Sequence, residues 1–118
     1  MLSGVCMTPI GTELDDLVLK RIKDAYLVGK IRKTRDCMDD MDRAKLYEAD
    51  VEKVIMAADT IEKAMPATSE RASNPHNTHY VIQGTSTTGV AVYCKVCSNY
   101  HPQTGEFIGW KLTSFTIK

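Results

Sequence analysis

The chain has 118 residues, 43% of them hydrophobic and 25% charged, with a formal net charge of zero. These values are typical of one soluble globular domain, and no apolar run approaches the length of a membrane span. The four cysteines are too few and too scattered for a secreted disulfide scaffold, and the first residues lack the basic segment of a signal peptide, so we expect a cytoplasmic protein.

The charges are unevenly distributed along the chain. Lys20–Arg35 contains seven basic residues and one acid, whereas acids outnumber bases in Asp36–Asp50. After Arg71 the only acidic residue is Glu106, against three lysines. This distribution is compatible with a local basic surface, which is what a small RNA-contacting site needs.

The first predicted element is a helix that follows an irregular leader at residues 1–11. Thr12 and Asp15 resemble a capping box, and the helix is expected to run to about Val28, with Gly29 as its stop. The residues expected on its apolar side are Leu14, Leu17, Val18, Ile22, Ala25 and Tyr26.

Two more helices follow a short basic connector, Lys30–Lys33, which we expect to be extended. Thr34 is the predicted cap of a helix running to about Met41, and Asp42–Tyr47 is the predicted break before a helix at Glu48–Ala58. The residues expected on their apolar sides are Cys37, Met38 and Met41, then Val51, Val54, Ile55 and Ala58.

The remaining elements are strands. Thr60–Met65 reads as a short edge strand ended by Pro66, and residues 66–78 as a mobile polar loop. After the hairpin described next, a turn at Asn99–Glu106 leads to a last strand, Phe107–Ile117.

A hairpin is predicted from two alternating runs, His79–Gly84 and Val90–Ser98, joined by a turn at Thr85–Gly89. One face carries Tyr80 and Ile82 of the first strand and Val90, Val92, Cys94 and Val96 of the second. The opposite face carries His79, Val81 and Gln83, with Ala91, Tyr93, Lys95 and Cys97. The first face suits a core. The second is either an ordinary solvated surface or a site that holds a phosphate or a base.

This order of elements predicts an α+β fold. Two to three N-terminal helices would pack on one face of a small, mainly antiparallel sheet of three to four strands. The other face of the sheet would be left free to bind a ligand.

The spacing Cys94-x2-Cys97-x3-His101 is typical of a metal-binding site. In a strand, however, residues three apart point to opposite faces, so we expect no metal there. A small metal-binding domain that uses Cys94, Cys97 and His101 stays an alternative hypothesis for the function of the chain. His76, His79 and His101 lie in or beside loops and strand starts, where each is either a general acid or base or merely exposed.

Several segments resemble the motility quorum-sensing regulator toxins. Val28–Ile55 is similar to their basic segment and the helices that follow it, and Thr60–Met65 is similar to a family strand Phe-Tyr-Lys-Ser-Met. Ala91–Val96 resembles the strand Val-Tyr-Leu-Lys-Ile, and Ser114-Phe115 the closing Ser-Phe-Lys. A family of small toxin-like bacterial proteins of unknown function is also similar, at Asp50-Val51 and at Gly84–Gly89. Both resemblances imply one RelE-like domain over residues 1–118.

The resemblance implies a toxin of a type II toxin–antitoxin system. Such toxins are metal-independent endoribonucleases that cleave mRNA by attack of a 2′-hydroxyl on the adjacent phosphate, and they need no cofactor. The partners implied are mRNA and a cognate antitoxin protein, with the ribosome as a further candidate and no membrane.

The same resemblance assigns roles to residues of this chain. Lys63, Gln83 and Tyr93 match the catalytic positions of the family. Lys63 would stabilise charge on the phosphate, Tyr93 would donate or accept a proton, and Gln83 would orient the substrate. Arg35 and Lys95 are the expected phosphate contacts.

The chain departs from the family pattern at its end. Thr116 stands where the family has a lysine after Ser-Phe, and Lys118 lies two residues further on. These toxins are usually basic, whereas this chain is neutral. The alternative function is therefore a non-catalytic RelE-like binding module that acts through a protein partner.

Overall fold

The computed structural model describes residues 13–66 and 77–118. In chain order the elements are α1 (Glu13–Leu27), β1 (Ile31–Lys33), α2 (Arg35–Ala44), α3 (Glu48–Ala57), β2 (Lys63–Pro66), β3 (Thr78–Thr85), β4 (Ala91–Tyr100) and β5 (Phe107–Ile117). The expected leader, the capping role of Thr12 and most of the expected mobile loop lie outside the described residues. Within the described ranges no helix is long and apolar enough to cross a membrane.

The strands form one mixed sheet in the order β1-β5-β4-β3-β2. β1 pairs with β5 in parallel, with Ile31 opposite Trp110, and all the other pairs are antiparallel. The predicted α+β class is confirmed. The predicted number of strands was too low, because the connector Lys30–Lys33 contributes β1, which is too short to show a periodicity of its own.

The helix boundaries follow local capping chemistry. Thr34 Oγ1 accepts a hydrogen bond from the Cys37 backbone nitrogen at 3.2 Å, as predicted. Gly29, just after α1, has φ +73°, a backbone conformation that favours glycine, and this matches the predicted stop. α2 continues past Met41 to Ala44, so the predicted break was placed too early.

The three helices cover one face of the sheet and enclose the hydrophobic core. The core residues of the sheet include Ile82, Val92, Cys94 and Val96, and those of the helices are Val18, Leu19, Ile22, Cys37, Met41, Val51, Val54 and Ile55. Most of the predicted apolar positions are confirmed. Leu17, Met38 and Val90 were predicted wrongly, since they are 56%, 46% and 38% exposed.

A β-bulge in β5 lets two of its large apolar side chains face the core. The register of β4 with β5 shifts between Lys95 and Val96, so Thr113 is the extra residue, and its hydroxyl donates to the Lys95 carbonyl at 3.2 Å. In a regular strand Leu112 and Phe115, three residues apart, would point to opposite faces. The bulge places both of them in the core, where they are fully buried.

Candidate functional site

The face of the sheet on which no described helix packs is here called the open face. No acidic residue occurs in any of the five described strands, whereas most of the acidic residues lie in the helices. Four basic side chains occupy open-face positions in the register: Arg32, Lys63, Lys95 and Lys111. The neutral net charge therefore conceals a separation of charge between a basic sheet and an acidic helical layer.

Val81 lies at the centre of a group of polar residues on the open face, and it is only 2% exposed. Lys63 on β2 and Lys95 on β4 stand directly opposite Val81, one on each side. His79 and Gln83 precede and follow it by two residues on β3. Directly opposite neighbours have Cβ atoms about 5 Å apart, so these side chains surround a buried apolar floor.

Tyr93 completes this group, because it stands directly opposite Gln83. Lys63, His79, Gln83, Tyr93 and Lys95 are together called the Val81 site. The structure thus brings the three sequence-predicted catalytic residues and one predicted phosphate contact, Lys95, onto the same part of the same face.

Gln83 is held at both ends of its amide. Its Nε2 donates to Glu62 Oε1 at 2.9 Å, and its Oε1 accepts from Lys118 Nζ. Lys118 also continues β5 through a backbone hydrogen bond to Ala91 at 3.0 Å. Its ammonium group is therefore present at the site.

His79 belongs to the site; from the sequence it was one of three histidines that could be a general acid or base, but it was not grouped with the catalytic residues. It is half-buried, and its pKa lies below the usual 6.5 because burial disfavours the charged ring and because Lys95 and Lys111 repel it. The imidazole is consequently neutral at pH 7 and able to accept a proton. The sequence feature that could have assigned His79 to the site is the strand alternation, which places it on the same face as Gln83.

Arg35, the second predicted phosphate contact, is not brought into this group. It is the exposed first residue of α2, in the helical layer and outside the strands that carry the Val81 site.

The basic run Lys20–Arg35 does not form one continuous surface, because most of its side chains are engaged within the fold. Lys20 pairs with Asp24, and Lys33 pairs with Glu48. The other engaged side chains are Lys23, on the carbonyls of Met56 and Ala58, and Arg21, over the rings of Phe107 and Trp110 at 5.0 and 5.5 Å. Arg32 occupies an open-face position in the register of β1 with β5, and it lines a cavity there together with Lys30.

Cys94 and Cys97 lie on opposite faces of β4, as the strand geometry predicts: Cys94 is in the core and Cys97 pairs with His79 on the open face. Burial raises the pKa of both thiols, so neither is an activated nucleophile. His101 Nδ1 accepts from the backbone nitrogens of Gln103 and Thr104, which stabilises the β4–β5 turn. In residues 13–66 and 77–118 no group of three or more potential ligands is placed to hold a metal ion.

Comparisons of the chain with models of protein families, with curated proteins and with solved structures give no significant match.

Proposed function

We propose that this protein is a metal-independent endoribonuclease that acts on mRNA in the cytoplasm, as the toxin of a type II toxin–antitoxin pair. The observation that carries the proposal is the Val81 site, where two lysines, a neutral histidine, a tyrosine and a glutamine surround one buried valine. A basic face without acidic strand residues attracts a phosphodiester backbone. The resemblance to the regulator toxins supports the same assignment.

The reaction requires three kinds of group. A base removes the proton of the 2′-hydroxyl, whose oxygen forms a bond to the adjacent phosphorus. The bond from phosphorus to the 5′-oxygen breaks, and an acid protonates that oxygen. Cations stabilise the charge on the phosphorane between these events. The products are a 2′,3′-cyclic phosphate and a 5′-hydroxyl.

The Val81 site supplies each of these groups from a suitable direction. A phosphate over Val81 would lie between Lys63 and Lys95, which neutralise its charge from both sides. His79 and Tyr93 lie toward opposite ends of the site, separated by four register positions or about 13 Å along the strands. Attack and departure take place on opposite sides of the phosphorus. His79 therefore serves as the base and Tyr93 as the acid, while Gln83 orients the substrate.

The test is cleavage of single-stranded RNA by the purified protein. The wild type is expected to produce 2′,3′-cyclic phosphate and 5′-hydroxyl ends, and RNA with 2′-deoxy nucleotides is expected to stay intact. Lys63→Ala and Tyr93→Phe should remove most of the activity, whereas Lys20→Ala, an exposed change in the helical layer, should not. Intact RNA after incubation with the wild type would overturn the proposal.

A second candidate function is the non-catalytic binding module. The observation that favours it is the hydrogen bond between Gln83 and Glu62, which engages the amide of Gln83 and places a carboxylate beside the site. Salt-dependent RNA binding without cleavage, or co-purification with an antitoxin-like protein without nuclease activity, would support this function.

A further inference from the structure

A concave site lies at the other side of the open face from the Val81 site, where β1 meets β5. A cavity of about 300 Å³ is lined there by Lys30, Arg32, Lys111, Asn99 and Ile108, together with Gly109 and Trp110. A Cβ built on Gly109 would meet nothing within 4 Å, so the missing side chain leaves the floor of the cavity open. No acidic side chain lines the cavity.

The three cations of this cavity have no counter-ion within the described part of the chain, where none of them forms an ion pair. Arg32 stands directly opposite Lys111 in the pairing of β1 with β5. Like charges in directly opposite positions destabilise a sheet. A bound anion would remove this repulsion.

Polar and apolar groups beside the cations fit one nucleotide unit. Asn99 Oδ1 accepts a hydrogen bond from Asn77 at 3.4 Å, and its Nδ2 has no partner among the described residues, so it is free to donate. Ile108 is an exposed apolar side chain on which a ribose or base edge can rest. An arginine, two lysines and an amide donor around a small cavity suit a phosphate group.

We infer that this cavity is a second subsite for single-stranded RNA, in which Lys30, Arg32 and Lys111 hold a backbone phosphate remote from the one at the Val81 site. The inference rests on the proposed function, because it gives the path of the same substrate across the sheet. Arg32 and Lys63 lie on the two outer strands, four strand spacings or about 19 Å apart. The bound strand therefore crosses the sheet from β2 to β1.

The experiment compares two ligands that resist cleavage because every 2′-hydroxyl is methylated. One is an oligonucleotide of about ten residues, in the usual range of single-strand sites. The other is a dinucleotide, whose single phosphate cannot fill both subsites. Affinities are measured by fluorescence anisotropy over a range of salt concentrations. The proteins are wild type, Arg32→Ala with Lys111→Ala, and the matched control Arg43→Ala with Lys20→Ala, which lies in the helical layer.

The double open-face variant is expected to bind the longer ligand about tenfold more weakly, and its salt slope should fall by about 0.7, which corresponds to one lost phosphate contact. The dinucleotide can still place its phosphate at the Val81 site of this variant, so it should lose clearly less affinity than the longer ligand, and the control should match wild type throughout. Thermal melts by circular dichroism are expected to show all three proteins folded, with the double open-face variant at least as stable as wild type, because its opposed like charges are gone.

Three outcomes would overturn the inference. The first is an unchanged affinity for the longer ligand, and the second is an equal loss for the dinucleotide. The third is tighter binding of inorganic phosphate than of the longer ligand, detected in the amide resonances of Arg32 and Lys111, which would assign the cavity to a free anion. Since neither RNA can be cleaved, a failure of the nuclease proposal leaves these measurements valid.

Discussion

Asp50 in α3 accepts two hydrogen bonds from Thr87 in the β3–β4 turn, one from its backbone nitrogen and one from its hydroxyl, each 2.8 Å long. The other carboxylate oxygen accepts from the backbone nitrogen of Tyr47 at 2.8 Å. Lys53, one turn further along α3, donates to the Ser86 carbonyl at 3.0 Å. These contacts attach the β3–β4 hairpin to the helical layer. The same hairpin carries Gln83 and Tyr93.

We predict that Asp50→Asn destabilises the fold by about 2 kcal/mol at pH 7, since an amide group turns a donor toward N–H groups that need an acceptor. The hydrogen bonds from Thr87 and Tyr47 lower the pKa of Asp50 below its usual 3.8. The ionised carboxylate therefore contributes its full stability above pH 3.8, and the contribution is lost as the pH falls below that value.

Urea unfolding of wild type and Asp50→Asn at pH 7 and pH 3 measures this effect, and the gap between the two proteins should be smaller at pH 3. Asp39→Asn, an exposed change on α2, is the control and should shift the midpoint little. Equal midpoints of wild type and Asp50→Asn at pH 7 would contradict the prediction.

The close approach of α3 to β3 gives a second stability prediction. A Cβ on Gly84 would lie 3.1 Å from Val54 Cγ1 and 3.3 Å from Val54 Cγ2. Gly84→Ala is therefore expected to destabilise the protein by about 1–2 kcal/mol through overpacking.

The double variant Gly84→Ala with Val54→Ala tests the cause of that loss. With the valine methyls removed, the added methyl has room, so the loss from Gly84→Ala should largely disappear in the Val54→Ala background. If the loss from Gly84→Ala is the same in both backgrounds, the contact with Val54 is not its source.

Much of this fold is local and was predictable. The alternation of the hairpin fixes which residues face the core, and Thr34 with Gly29 marks helix boundaries by local capping chemistry. Leu17 and Met38 were assigned to the core because their spacing fits the apolar stripe of a helix. Both are exposed, so the part of each helix that is buried against the sheet is narrower than that stripe.

The site was predictable only in part, because its completion depends on contacts distant in sequence. The phase of β3 and β4 placed Gln83 and Tyr93 on one face, but the pairing of β2 with β3 was needed to bring Lys63 beside Val81. The parallel pairing of β1 with β5 places Arg32 opposite Lys111. No pattern in the local sequence indicates this pairing.

The lowered pKa of His79 gives a third prediction, measurable without any nuclease assay. The NMR titration midpoint of His79 should lie below 6.5, and Lys111→Ala should move it upward, because one of the repelling cations is removed. Lys20→Ala, remote in the helical layer, should leave the midpoint unchanged.

The same shift predicts the acid limb of the cleavage rate. A base must be neutral to accept a proton, so activity should rise with pH through the lowered pKa of His79 and level off by neutral pH. In Lys111→Ala the limb should move to higher pH together with the NMR midpoint. A limb that stays fixed while the midpoint moves would exclude His79 as the base.

The last prediction separates the roles of Tyr93 and Lys63. Tyr93→Phe is expected to lower the cleavage rate by a factor of about 10² or more, the usual contribution of a positioned proton donor, with little change in the affinity for uncleavable RNA. Lys63→Ala removes a cation that stabilises the negative charge of the phosphorane and should lower the rate by about 10²–10³.

A substrate with sulfur in place of the bridging 5′-oxygen distinguishes the two causes, because a thiolate leaves without needing a proton. This substitution should restore most of the rate of Tyr93→Phe and little of the rate of Lys63→Ala, since the phosphorane charge is still present when sulfur leaves. Equal restoration in both variants would mean that Tyr93 does not act as the acid. In that case its place opposite Gln83 would serve to position the RNA, and the proton would come from another group of the Val81 site.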